Sequence, residues 1–206
     1  MRGLEHIPWC YDAMMWVAEA TGFRDWRRRL VAVARGRVLD IGCGTGRNLP
    51  LYAPDVRLVA LDFRLELVVT ARRRHPGRGL VVGDAQALPF HDEAFDTVVS
   101  GLVFCSVPDP VRGLGEVRRV LDEDGELRML EHVRSTHPWM AWWQDLIQPL
   151  WTWLSGGCHP NRDTVGNVRT AGFQVLEADS FARRNVRLLS ARKREISLPR
   201  RPPPHR

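Results

Sequence analysis

The chain has 206 residues, of which 44% are hydrophobic and 26% charged, a balance that fits one soluble globular domain with its own buried core. No apolar run approaches the roughly 18 residues needed to span a bilayer, and the start Met1-Arg2-Gly3-Leu4-Glu5-His6 lacks a secretory signal pattern. The net charge of +6 comes almost wholly from arginines in singles and short runs, such as Arg27–Arg29 and Arg72–Arg74; a solvated surface is expected, and nucleic acid is not an expected partner.

Residues 1–35 read as a helical segment, with Trp9, Met14, Val17, Trp26, Leu30 and Val33 at irregular helical spacing. The pattern then changes. Arg37–Ile41 is a short apolar strand, and strand-sized runs follow at Val56–Leu61, Leu80–Val82, Thr97–Ser100 and Glu126–Leu130. Helix-length stretches, Leu65–Arg74 and Val111–Leu121, lie between them. Strands alternating with helices predict βαβ units and a mostly parallel sheet. Beyond Glu131 the alternation stops: residues 136–155 hold five of the eight tryptophans, and Gly156-Gly157 end that helical stretch. Asn161–Gly172 reads as a further helix, Phe173–Ala178 and Arg187–Ala191 as the last strands, and 196–206 as a disordered tail. The domain proper is thus expected over 36–195.

Cys10, Cys43, Cys105 and Cys158 form no CxxC pair. Their spacing argues against a zinc site or a disulfide scaffold and suits a reducing cytosol, so no metal and a cytoplasmic location are expected.

The densest chemical signal is Asp40-Ile41-Gly42-Cys43-Gly44-Thr45-Gly46, directly after the first strand. A tight strand-to-helix turn that lets a ligand approach the backbone needs glycine. A dinucleotide site calls for G-x-G-x-x-G; here the spacing is G-x-G-x-G, and Arg47 occupies the last glycine position. Two further acids end later strands. Asp62 lies where a carboxylate accepts hydrogen bonds from both ribose hydroxyls, and Asp84 with the Ala85 N–H lies where an adenine edge would fall.

This ordered set resembles the motifs of class I S-adenosylmethionine-dependent methyltransferases. The glycine loop, Asp62, Gly83-Asp84-Ala85, Phe95–Ser100 and Glu116–Leu121 carry the likeness, with Glu123-Asp124-Gly125 in place of the usual Pro-Gly-Gly. The resemblance implies a doubly wound α/β fold in a single domain: seven strands, mostly parallel, the last one antiparallel. The ligand crevice would lie at the carboxyl ends of the first and fourth strands. It implies S-adenosylmethionine as cofactor, with Gly42, Gly44 and Gly46 at the methionine part and Asp40 at its amino group. Asp62 would hold the ribose and Asp84 with Ala85 the adenine, while Ser100 and Leu102 would face the sulfonium.

The second half, Glu131-His132-Val133 through Trp143-Gln144, Gly156-Gly157-Cys158-His159, Asn161-Arg162 and Ala171-Gly172-Phe173, resembles the small thiol S-methyltransferases of the methyltransferase-like seven group and their bacterial relatives. That likeness implies methyl transfer to a small apolar acceptor, with a thiol favoured. Methylation of a lipid, quinone or amine is the alternative enzyme reading. A cofactor-binding regulatory protein without catalysis is the alternative outside enzymology. His132 and Glu131 are the candidates for proton transfer, although His132 is equally readable as a structural histidine bonded to backbone. Cys158 reads as a buried structural cysteine. Trp139, Trp142, Trp143, Trp151 and Trp153 read as an apolar lid or substrate pocket within 136–160. Core packing or contact with a membrane surface are the other readings, and the absence of Lys and Arg over 138–157 counts against a membrane.

Overall fold

A computed structural model describes residues 23–183 and 186–194 of the chain, with the side chains of 177–183 left out. Most of the predicted N-terminal helical segment and the predicted disordered tail fall outside these residues.

Arg37–Ile41 (β1), Arg57–Asp62 (β2), Gly79–Val82 (β3), Phe95–Gly101 (β4), Leu121–His132 (β5), Phe173–Arg183 (β6) and Val186–Lys193 (β7) form one seven-stranded sheet in the order β3-β2-β1-β4-β5-β7-β6. Strands β1 to β5 pair in parallel, and β7 runs antiparallel to both β5 and β6. The helices are Arg24–Val31 (α1), Leu65–Arg74 (α2), Pro110–Val120 (α3), Pro138–Leu154 (α4) and Thr164–Thr170 (α5). Chain order reverses between β1 and β4. The crossover from β1 to β2, which carries only the 3-10 turn Leu49–Leu51 where the sequence suggested a helix, and the crossover from β4 to β5, which carries α3, leave in opposite directions there and open a crevice at the carboxyl ends of those strands.

The central strands read as continuous apolar runs because both faces of the sheet are covered. Neighbouring side chains alternate between the faces. Leu39, Ile41, Val98 and Met129 pack with Leu114 and Val117 of α3, whereas Val38, Val99 and Leu130 pack with Leu30 of α1 and Val68 of α2. Two helices begin on side-chain caps: Asp109 accepts from the Arg112 N–H at 3.0 Å and Asp163 from the Gly166 N–H at 2.9 Å.

The expected fold is the one found, with adjusted element bounds, among them a last-but-one strand that runs to Arg183 and not Ala178. β5 extends from Leu121 to His132, well beyond the predicted Glu126–Leu130, and a register shift against β4 between Phe95 and Thr97 absorbs its irregular start. The helix predicted over Asn161–Gly172 is confined to Thr164–Thr170, because Asp163 caps it late. Among the described residues no helix is long and apolar enough to cross a membrane.

Candidate active site

The glycine loop is pinned to the end of β2 through its backbone. The Gly42 and Cys43 N–H groups both donate to the Leu61 carbonyl, at 2.7 and 3.0 Å. Gly42, Gly44 and Gly46 have φ of 69°, 57° and 87°, all in the left-handed region that side chains resist. At Gly42 a Cβ would also lie 2.1 Å from Val103 Cγ2. Glycine is required there on both counts.

The acids cluster around this loop. Asp40 is fully buried; its Oδ1 accepts from Asn48 Nδ2 at 3.4 Å, while Oδ2 is buried without a hydrogen-bond partner. Burial pushes its pKa up to about 7. A buried carboxylate oxygen with no donor fits the ammonium group of an amino-acid-bearing cofactor. Asp62 is also buried, with Oδ2 accepting from the Gly44 N–H and Oδ1 from the Arg64 N–H, each at 2.9 Å. It therefore ties the loop to β2, a role the sequence did not reveal. Each oxygen keeps a second lone pair for a hydroxyl. Gly83 donates to the Asp62 carbonyl at 3.0 Å, which leads the chain into Asp84; there Oδ1 accepts from the Gln86 N–H at 2.8 Å. Ala85 is buried against the core. A cleft of about 240 Å³ borders the loop at Thr45, Gly46 and Arg47, with Arg24, Arg74 and His75 on its walls.

At the end of β4 the expected geometry changes. Ser100 is buried and its Oγ donates to Glu131 Oε1 at 2.8 Å, so the side chain is committed to β5 and turned from an open ligand position. Leu102 follows with φ of 60°, a conformation rare outside glycine and costly enough to be held only by its surroundings. Its N–H donates to the Leu130 carbonyl at 2.7 Å.

Glu131 is fully buried and accepts four hydrogen bonds: from Ser100 Oγ, and from the N–H groups of Val103, Phe104 and Cys105 at 2.9, 3.0 and 3.1 Å. Burial raises its pKa, although these donors favour the charged form. Three of these bonds fall on Oε1 and one on Oε2, and the side chain is wholly buried, so the carboxylate positions the loop after β4 and presents no exposed oxygen to a substrate. His132 ends β5, with Nδ1 3.3 Å from Cys158 Sγ and its ring edge-on to Trp151 at 6.2 Å. Burial pulls the imidazole down, but the Cys158 sulfur and the Glu131 carboxylate outweigh it and leave its pKa raised. Contact with Cys105, and then with His132, holds the Cys158 thiol well below its usual value against the effect of burial. Cys105 shifts upward through the same contact and through its own burial.

Helix α4 is docked through a few polar residues, of which Gln144 is the buried one. Buried Gln144 donates from Nε2 to the carbonyls of Val133 and Pro160 at 3.0 and 2.8 Å and accepts from the Ser135 N–H at 2.7 Å. Arg134 and Asp145 form a two-pronged ion pair at 2.5 and 2.8 Å beside it. The core reading of the tryptophans fails here: Trp139, Trp142 and Trp153 are 61%, 57% and 62% exposed, and only Ala141 and Gln144 of the helix are buried. The apolar surface instead stands open beside His132. Gln144 and Arg162, whose Nη1 donates to the carbonyls of Phe104 and Val107, belong to the segments that carry the resemblance, but their positioning roles were not legible, because their partners are backbone groups with no residue-type signature.

Comparison with known proteins agrees with this geometry. Residues 39–129 match the methyltransferase domain family. The human thiol S-methyltransferase TMT1B is 33% identical over 156 residues, covering 71% of this chain and 64% of that protein. The demethylmenaquinone methyltransferase of Renibacterium salmoninarum is 38% identical over 131 residues, 61% of this chain and 55% of that one. The match thus spans less than two thirds of the length of these relatives. The crystal structure of an S-adenosylmethionine-dependent methyltransferase from Mesorhizobium loti superposes with a TM-score of 0.61 at 19% identity, covering 82% of this chain and 96% of that one, a likeness of fold. The chain has the class I methyltransferase fold, and its sequence is similar to methyltransferases over these spans. Within that class it resembles the thiol S-methyltransferases.

Proposed function

We propose that the chain moves a methyl group from S-adenosylmethionine to the sulfur of a small apolar thiol. When bound, the cofactor supplies a methyl group already activated on a sulfonium, so the protein's tasks are alignment and exclusion of water. Asp40 would receive the cofactor's ammonium and Asp62 its ribose hydroxyls, with Asp84 and the Ala85 N–H at the adenine. The left-handed glycine loop leaves room for the methionine part. Holding donor and acceptor in line removes on the order of 7–11 kcal/mol of barrier.

The observation that carries the thiol reading is the occupation of Glu131 by four donors, with His132 Nδ1 facing Cys158. Among the described residues, the acid beside His132 is thus held in the interior and is not offered to a substrate as a base. A thiol, with pKa near 8.5, is already ionised to about a few per cent at neutral pH and needs none; an alcohol or carbon acid would. The exposed tryptophan face of α4 beside His132 suits an apolar acceptor. The thiol S-methyltransferase activity of TMT1B supports the same choice, while the demethylmenaquinone methyltransferase of Renibacterium keeps a quinone as the second reading.

The test is methyl transfer from labelled cofactor to a series of thiols of graded pKa, alongside a quinol, an amine and a phospholipid. Thiol methylation should rise with pH and level off at each acceptor's own pKa. Turnover of the quinol alone, or a pH profile indifferent to acceptor pKa, overturns the thiol reading. Cofactor binding with no product from any acceptor favours a regulatory protein.

A further inference from the structure

Methyl transfer as derived above leaves one buried cluster unused. Cys105 lies in the loop after β4, His132 closes β5, and Cys158 lies between α4 and α5. The Cys158 sulfur is 3.5 Å from the Cys105 sulfur and 3.3 Å from His132 Nδ1, and the three atoms all lie within 4.8 Å of one another. From these distances and the chemistry of the donor set we infer that Cys105, His132 and Cys158 form a binding site for one thiophilic divalent cation of the zinc class.

The spacing fits. Zinc binds sulfur at about 2.3 Å and imidazole nitrogen at about 2.0–2.1 Å in a tetrahedron, so neighbouring ligand atoms should stand roughly 3.5–3.8 Å apart. Two of the three edges already lie within a few tenths of that range. Two thiolates and one imidazole are also the ligand set zinc prefers, and three protein ligands leave the fourth position open.

Each ligand is braced through its backbone. Cys105 donates its N–H to Glu131 at 3.1 Å and accepts at its carbonyl from the His159 N–H at 2.9 Å. The Cys158 carbonyl accepts from Thr152 Oγ1, and the His132 carbonyl from Thr164 Oγ1, both at 2.9 Å. Ligands held this way lose little freedom on binding, as supported metal sites require. Charge balances as well: two thiolates neutralise a divalent ion, and Glu131 is offset by Arg162, which reaches the carbonyls of the same loop. Two buried sulfurs and the half-buried imidazole converge here, with the Ser106 hydroxyl 3.8 Å from the Cys105 sulfur and Trp151 beside Cys158 as their further polar neighbours. With a cation bound, three segments separated by 26 and 53 residues are clamped together, and α4 is fixed against the reacting edge.

The experiment titrates the reduced, metal-stripped full-length chain with Co²⁺ and then with Zn²⁺. Binding at this site gives one equivalent of tetrahedral cobalt with a thiolate charge-transfer band, displaced by zinc. Cys158→Ser and Cys105→Ser, with folding checked by circular dichroism and S-adenosylhomocysteine binding, should each weaken zinc binding by more than about tenfold and abolish the thiolate band. His132→Gln should keep the band with altered ligand-field absorption. Absence of a tetrahedral spectrum in the folded wild-type chain overturns the inference. So does zinc affinity that survives both serine substitutions, or quantitative isolation of a Cys105–Cys158 disulfide from chain expressed with zinc and purified under argon.

Discussion

Removing Asp62 separates the loop tether that the structure shows from the ribose contact proposed for the same carboxylate. In Asp62→Ala the buried Gly44 N–H loses its acceptor, as does the partly buried Arg64 N–H. A hydrogen bond to a charged acceptor contributes about 1.5–3 kcal/mol, and a donor left dry costs a similar amount. Water can replace the carboxylate at Arg64 but not readily at Gly44, so stability should fall by on the order of 2–4 kcal/mol. Loss of the two ribose hydroxyl bonds should separately weaken cofactor binding by about 1.5–3 kcal/mol, roughly 10- to 150-fold. Urea unfolding gives the first quantity, and calorimetry with S-adenosylhomocysteine on the folded variant gives the second. Reduced stability with an unchanged dissociation constant would show that Asp62 is a loop tether only. An unchanged stability would refute the tether.

Gly42→Ala should cost about 1–3 kcal/mol from the left-handed backbone alone, and more because its Cβ would drive Val103 out of the loop held by Glu131; an unaltered urea midpoint contradicts that packing. Asp40 carries a pH signature in the chain without cofactor. Its folded pKa, raised to about 7 from 3.8, lies above the unfolded value, so its contribution is fully present below about pH 4 and is lost as pH rises through about 7. The loss reaches at most about 4 kcal/mol. Asp40→Asn should therefore gain stability relative to wild type between pH 5 and pH 8, and parallel profiles for the two proteins would rule the raised pKa out.

The order of the elements was legible in the residues because each signal is local. The glycine loop, the acids Asp40, Asp62 and Asp84 at strand ends, and the apolar runs of β1 to β4 are set by neighbours within a few positions. A parallel sheet covered on both faces writes itself as such runs separated by helix-length segments. From these a mostly parallel α/β sheet follows without coordinates; its seven strands were implied by the resemblance and are the ones found.

Tertiary structure alone decided what those side chains touch. Glu131 and His132 are adjacent in sequence and were read as a pair of proton-transfer candidates. Successive residues of a strand face opposite ways, and the fold gives Glu131 to the loop after β4 and His132 to the sulfur of Cys158. The tryptophans of α4 have a helical spacing that suits a lid, a core or a surface; which applies depends on what packs over them, and the helix is docked by Gln144 with its tryptophans left open. Cys105 and Cys158 stand 53 residues apart, so spacing rules for metal sites pass over them. Their sulfurs meet because the β4 loop and the α4–α5 connection end at the same sheet edge, a coincidence of chain endpoints that only the folded sheet produces.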